Sequence, residues 1–224
     1  MTGIFSSIWP FSIEAGLNRA YGRALSRHGA TAQGVFWNSP KSQRARFSAL
    51  LGLVASHAAS RAGSLTEPAA APSVADIGCG YGAMLSFMQD RPQIGSWPYL
   101  GLDINPAMIA AARQRLPHEA ARFAVGKLPP SQVDYALFSG TFNLCLIDDP
   151  GRWQRYILES LAACWPLCRQ GMALNLLCQG EARITARIYY ADQRAMVAAL
   201  RRFGNVQTAP TRGVKHDVTF LVSR

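Results

Sequence analysis

Apolar positions in this chain recur with two different periods, and the change between them falls near residue 74. Upstream, Ser39 followed by Pro40 reads as a helix cap and first helical position, and Phe47, Leu50, Leu51 and Val54 then recur at helical spacing, predicting a helix over about Pro40–His57. A second helical pattern covers Ile13–Ser26. Residues Gly63–Ser73 are small, polar and proline-containing, and read as a linker between an N-terminal helical segment (1–70) and the remainder (71–224). Downstream, short β-type runs alternate with helical stretches, as parallel βαβ units require. The predicted strands are Val74–Ile77, Tyr99–Asp103, Arg122–Val125, Asp134–Phe138, Ala173–Leu177, Val206–Thr208 and Val218–Val222. Between them come helices near Ala83–Gln89, Pro106–Leu116, Trp153–Trp165 and Gln193–Phe203, with Asn105-Pro106 repeating the cap-then-proline start. From Gly126 to Val133 there is too little chain for a crossover helix, so an extended loop or single turn is expected there.

Composition narrows the class without deciding it. With 49% hydrophobic and 16% charged residues in 224, the chain can bury one sizeable α/β core. No apolar run approaches the ~20 residues of a membrane span, and Met1-Thr2-Gly3-Ile4-Phe5 lacks the basic flank of a secretory signal, so a cytoplasmic location is expected. The five cysteines (Cys79, Cys145, Cys164, Cys168, Cys178) form no CxxC pair and read as reduced core thiols; no metal site is expected. A net charge of +10 invites nucleic acid, but the arginines are spread along the chain with only Arg201-Arg202 adjacent, which favours a solvated basic surface.

The densest local signal is Asp76-Ile77-Gly78-Cys79-Gly80-Tyr81-Gly82-Ala83, between a predicted strand and a predicted helix. Glycines at 78, 80 and 82 permit positive φ and close approach of backbone to a ligand. The same letters satisfy the dinucleotide pattern G-x-G-x-x-A, so the loop alone suits NAD as well as S-adenosylmethionine (SAM). Asp76 at its mouth would repel a diphosphate but suits the ammonium of an amino acid. Asp103 ends the second strand 21 residues after Gly82, where a carboxylate can accept hydrogen bonds from ribose hydroxyls.

Val74–Gly82 and Tyr99-Leu100-Gly101-Leu102-Asp103-Ile104-Asn105-Pro106 resemble the first two motifs of class I SAM-dependent methyltransferases. The resemblance continues through Arg122–Gly126, Val133–Leu137 and a terminal strand ending in Asp217-Val218-Thr219-Phe220. It implies a doubly wound, mostly parallel seven-stranded α/β sheet with one antiparallel strand, and SAM as cofactor. With the N-terminal helices as a lid, it assigns cofactor contacts to Trp37, Gln43, Arg46, Asp76, Gly78, Cys79, Gly80, Tyr81, Asp103, Ile104, Lys127 and Leu128. Gln43 and Arg46 lie just before the apolar stripe of the Pro40–His57 helix, where Arg46 could pair with the cofactor carboxylate; a solvated face fits both residues equally well. Where the family usually places an acid beside the adenine amine, this chain has Lys127, which leaves adenine to backbone groups and packing.

Ligands of open α/β sheets bind outside the carboxyl ends of the strands, so the loop Ser139-Gly140-Thr141-Phe142-Asn143 is expected to face the reacting centre. It offers no strong base. Phe138, Phe142, Tyr81, Trp37, Tyr189 and Tyr190 are candidates for an aromatic box around a sulfonium. The catalytic candidates are Phe138, Ser139, Asn143, Tyr189 and His216, the last beside Asp217 as a possible base. The expected activity is methyl transfer to a small-molecule amine, hydroxyl or carboxyl, by a monomer or homodimer. Two alternatives stand beside it: a cyclase or lyase that turns SAM alone into azetidine-2-carboxylate and methylthioadenosine, and an RNA-binding methyltransferase or SAM-binding module.

Overall fold

A computed structural model describes residues 5–62 and 70–224, with side chains for residues 12–61 and 70–224. Met1–Ile4, and residues 63–69 of the expected linker, lie outside the described residues; residues 70–73 carry no regular structure.

Helix α1 (Phe5–His28) and helix α2 (Pro40–Ala62) precede the sheet, both longer than their apolar patterns predict. The Ser39 cap is real: its hydroxyl accepts the Ser42 N–H at 3.1 Å. The strands are β1 (Val74–Ile77), β2 (Tyr99–Asp103), β3 (Phe123–Val125), β4 (Val133–Phe138), β5 (Cys168–Gln179), β6 (Arg183–Thr185), β7 (Ile188–Asp192), β8 (Asn205–Pro210) and β9 (Asp217–Ser223). They are interleaved with α3 (Ala83–Gln89), α4 (Pro92–Gly95), α5 (Pro106–Arg115), α6 (Pro150–Cys164) and α7 (Gln193–Leu200). Asn105, Asp149 and Asp192 cap α5, α6 and α7 through their side chains.

The seven expected strands form the order β3-β2-β1-β4-β5-β9-β8, parallel except for β9, which inserts antiparallel between β5 and β8. Between β3 and β4 there is only a loop, as the short spacing requires. Two further strands make the sheet nine-stranded: β6 and β7 form a hairpin, and β7 pairs with the last two residues of β5. Its turn places Ala186 and Arg187 at φ of 50° and 62°, a conformation whose usual signal is Asn-Gly or Asp-Gly. Without that signal the hairpin has no signature in the letters.

The sheet is packed on both faces. Leu17 of α1, Trp153, Ile157 and Leu161 of α6, and Met196 and Leu200 of α7 share one buried cluster with Ala136, Phe138, Met172 and Leu174. Phe47, Leu50, Leu51 and Val54 of α2 join Met84, Leu85 and Ile109 against Tyr135, Leu137 and Ala173 on the other. Since α1 and α2 belong to opposite faces, the strap between them, residues 29–39, crosses the sheet at the carboxyl ends of β1 and β4. There the Val35 side chain packs 3.3 Å from the position a Gly80 Cβ would take, and Trp37 lies over Gly140.

All five cysteines are buried and unbridged. No described helix is long and apolar enough to cross a membrane.

Candidate functional site

Where the strap crosses the strand ends it roofs a cavity of about 280 Å³. Gly78, Gly80 and Gly82 take φ of 80°, 55° and 77°, and this winds the chain from β1 into α3 with its backbone against the cavity. A Cβ on Gly78 would meet the Thr141 side chain at 3.0 Å, so the loop and the segment after β4 close on each other only with glycine there. Thr141 Oγ1 donates to the Ile77 carbonyl at 2.7 Å and ties the same two segments. Gly140, at φ 71°, leaves the space that the Trp37 ring fills: a Cβ there would stand 2.6 Å from it.

Two acids come from the strand ends. Asp103 accepts the Gly80 N–H at 3.0 Å and the Asn105 N–H at 2.8 Å, one on each oxygen. Burial raises its pKa and those two donors pull it back. Each oxygen keeps a lone pair for a further donor, as a pair of vicinal hydroxyls would supply. Asp76 accepts the Tyr99 hydroxyl at 2.7 Å, and burial holds its pKa up to about 7 against that hydrogen bond.

The far end of the cavity belongs to α1 and α6. Glu14, Asn18 and Tyr21 project from one face of α1, and Tyr156, Glu159 and Ser160 from one face of α6, beside Lys127 and Leu128. Glu14 Oε1 receives Lys127 Nζ at 3.0 Å, so the carboxylate missing after β3 arrives from the N-terminal helix. Burial, reinforced by the Asp103 charge, raises the Tyr21 hydroxyl; burial and Glu14 do the same to Tyr156. Asn105 Nδ2 donates to the Asn18 carbonyl at 3.0 Å, fixing α1 to the end of β2.

Of the expected cofactor contacts, Trp37, Gln43, Asp76, Gly78, Cys79, Gly80, Tyr81, Asp103, Ile104, Lys127 and Leu128 line this one cavity, and so do Phe138 and Ser139 of the catalytic candidates. Tyr81 donates to Gln43 Oε1 at 3.1 Å, joining the glycine loop to α2. Phe138 and Phe142 stack with centroids 5.4 Å apart. Burial pushes the Cys79 thiol well up, which keeps it a neutral wall group.

Four expectations are corrected. Arg46 does not face the cavity: its Nε meets Asp217 Oδ2 at 2.5 Å and its guanidinium lies 4.5 Å from the Trp37 ring centroid, because a buried carboxylate at the start of β9 lies within its reach. Asn143 lies outside the cavity; its carbonyl takes the Tyr189 N–H at 2.9 Å and so holds the β6–β7 hairpin. Tyr189 is buried beneath that hairpin with its hydroxyl toward Gln154. His216 is exposed at φ 64° in the turn before β9, where its carbonyl receives the Cys178 N–H and its ring meets Tyr190, also off the cavity. The Asp217 beside it is already held by Arg46 and Thr211.

Glu14, Asn18, Tyr21, Tyr156 and Glu159 are cavity residues that the motifs miss, whereas Thr141 belongs to the loop expected to face the reacting centre. For α1 a signal exists: Glu14, Leu17, Asn18 and Tyr21 stand three and four apart and share a face. Elsewhere on α1, Arg19, Arg23 and Arg27 line a shallow outer groove, a local grouping of charge within the dispersed arginines.

The residues fit an adenosyl amino acid better than a diphosphate. Glu14, Asp76, Asp103 and Glu159 line the cavity, whereas among the described residues Lys127 is the one cation there, held to Glu14. A site for phosphates needs the opposite balance. Among the described residues no cluster of His, Cys, Asp and Glu is arranged to hold a metal.

Comparison with known proteins agrees. The family described as a methyltransferase domain matches residues 75–164. Rv1506c of Mycobacterium tuberculosis, described as a methyltransferase, is 32% identical over 133 residues that span 58% of this chain and 79% of that protein. Among solved structures, magnesium protoporphyrin IX methyltransferase from Synechocystis PCC 6803 with bound SAM superposes with a TM-score of 0.54 at 17% identity, covering 80% of each chain. Mitomycin 7-O-methyltransferase superposes with a TM-score of 0.51 at 16% identity, covering 94% of this chain and 67% of its own. A glycine-lined crevice with an acid at the ends of β1 and β2, on this sheet order and with this degree of kinship, means that the chain belongs to the class I SAM-dependent methyltransferases.

Proposed function

We propose that the protein transfers the methyl group of SAM to a hydroxyl, amine or carboxyl of a small molecule enclosed beneath the strap. The observation that carries this is the roof: Val35 and Trp37 close over the strand ends, so an acceptor reaches the reacting centre by being enclosed. Two proteins of the same fold are named for small-molecule acceptors, a magnesium porphyrin and mitomycin.

When bound, SAM supplies a methyl carbon already activated by positive sulfur. The protein's own task is then placement and exclusion of water. Asp103 takes the ribose hydroxyls, with its two backbone donors orienting it and favouring its charge against the burial that raises its pKa. Leu128 and the α6 face bound the nucleoside end, and Glu14 offers an acceptor to the adenine amine. Asp76 faces the amino-acid end. The stacked Phe138–Phe142 pair gives the middle of the cavity an aromatic wall suited to a sulfonium.

Incubation with SAM and fractions of a metabolite extract tests the reading. Release of S-adenosylhomocysteine dependent on a low-mass fraction is expected. Methylthioadenosine and azetidine-2-carboxylate from SAM alone would overturn it, as would S-adenosylhomocysteine formed only with RNA.

A further inference from the structure

Behind Ser139 a row of polar side chains crosses the sheet. Ser139 Oγ bonds Asn175 Oδ1 at 3.0 Å, and Asn175 Nδ2 bonds Thr219 Oγ1 at 2.6 Å. Thr219 Oγ1 lies 3.5 Å from Thr211 Oγ1, which bonds Asp217 Oδ1 at 2.5 Å. Register explains the alignment. Phe138 stands opposite Leu174, and Asn175 opposite Thr219, so the next residue of β4's path, Ser139, and its two neighbours fall side by side. Asn175, Thr219, Thr211 and Asp217 are all buried, a costly set unless each group is satisfied.

The protons in this row have one consistent order. Asp217 lies 2.5 Å from Arg46; burial raises its pKa and the guanidinium opposes that, favouring the carboxylate, which only accepts. Thr211 therefore donates to Asp217, and its one proton is committed. Thr219, whose Oγ1 lies 3.5 Å from that of Thr211, accepts from the amide nitrogen of Asn175. Asn175 in turn shows its carbonyl oxygen to Ser139, whose one proton goes there. Toward the cavity Ser139 is left with lone pairs.

The charge nearby decides which donor suits it. Asp76 is opposite Leu137 in the β1–β4 ladder, two residues before Ser139, and both line the cavity. A hydroxyl fixed as acceptor in the same cavity as a carboxylate complements a group with several N–H donors, no acceptor and a positive charge. We infer that Ser139 is a dedicated hydrogen-bond acceptor, polarised by the row that ends at Asp217, and that with Asp76 it seats the ammonium of the SAM amino-acid moiety. This rests on the cofactor reading above. It makes Ser139 a binding residue, and Asn175, Thr219, Thr211 and Asp217 positioning residues for it.

Calorimetry with S-adenosylhomocysteine and with its analogue lacking the amino group tests the inference. The unaltered protein should prefer the amino compound by about tenfold or more, the scale of one charge-assisted hydrogen bond. Ser139→Ala should cut that preference to about two- to threefold, leaving what Asp76 supplies. Thr219→Val, which frees the Asn175 amide to turn, should fall between the two, and Thr219→Ser, which keeps the hydroxyl, should match the unaltered protein. Ser139→Ala leaves the Asn175–Thr219 hydrogen bond in place and removes only the bond at the cavity end of the row, so it stands as a test even if Thr219→Val does not fold. A preference unchanged in Ser139→Ala, with S-adenosylhomocysteine still bound, overturns the inference and spares the cofactor assignment. Binding of neither compound by the unaltered protein overturns both.

Discussion

The floor of the cavity and its roof are built by opposite means. The floor is backbone: strand ends, a glycine turn, and Asp103 clamped by two main-chain N–H groups within its own βαβ unit. The roof is side chains brought from far along the sequence: Val35 on Gly80, Trp37 on Gly140, Lys127 on Glu14, Tyr81 on Gln43 and Arg46 on Asp217. A floor of that kind persists as long as the sheet does. A roof of that kind is held by a few separable ties, and each can be cut to ask what enclosure contributes.

The largest effect should come from the most buried tie. Arg46 and Asp217 have side chains 10% and 0% exposed, so Arg46→Ala leaves an uncompensated carboxylate in the interior. Breaking such a pair costs about 3–5 kcal/mol. Urea unfolding should show that loss, and a shift well under 1 kcal/mol would mean that the roof is not anchored there. Cutting the floor should do the reverse. If Asp103 accepts both ribose hydroxyls, Asp103→Ala removes two charge-assisted hydrogen bonds, each worth about 1.5–3 kcal/mol, so S-adenosylhomocysteine should bind at least about 100-fold more weakly. Retained affinity in calorimetry would remove Asp103 from the cofactor site.

The same division governs what the sequence revealed. Floor residues are local: Asp76, the three glycines and Asp103 lie within one strand-turn-helix-strand unit whose spacing reflects its geometry. Roof residues are set by packing between distant segments. Nothing around Arg46 tells whether it points at a ligand or at Asp217, which lies 171 residues away. Asn143 and Tyr189 were misplaced for a related reason. They serve a hairpin whose turn uses Ala186 and Arg187 at positive φ, without the residues that normally announce one. Glu14 escaped because the motif places its acid after β3, whereas here Lys127 occupies that place and draws the carboxylate from α1.

A smaller effect tests whether the floor is tuned for a cation. Burial holds the Asp76 carboxyl up to about 7, above the unfolded value of 3.8. A raised folded pKa stabilises the protein fully below about pH 4, and that contribution fades as pH rises toward 7. Asp76→Asn keeps an acceptor for Tyr99 without the charge. In the ligand-free protein it should therefore match the unaltered protein near pH 4 and exceed it at pH 8 by on the order of 1–3 kcal/mol. A bound ammonium favours the carboxylate, so binding S-adenosylhomocysteine near pH 7 should release a proton. Calorimetry in buffers of different ionisation heat reads it directly, and equal heats in all buffers would contradict the assignment.

The smallest effect decides whether the roof recognises or only covers. Glu14 has a carboxyl 16% exposed and its partner Lys127 is 54% exposed, so the ion pair is screened and contributes little to stability. If Glu14 also accepts from the adenine amine, Glu14→Gln, which keeps an acceptor but loses the charge, should weaken S-adenosylhomocysteine about three- to tenfold, the scale of an ordinary hydrogen bond. The inosine counterpart, with a carbonyl oxygen in place of the amine, should be rejected by the unaltered protein and better tolerated by Glu14→Gln, because an amide can turn its NH₂ toward that oxygen. Lys127→Met, which removes the ion pair to Glu14, should loosen α1, and it should leave this base preference largely in place if the lysine acts through Glu14 alone. If Glu14→Gln instead weakens both nucleosides equally, the α1 face is cover alone. The strand ends would then carry all of the recognition, and the division drawn between floor and roof would be one of mechanics rather than of chemistry.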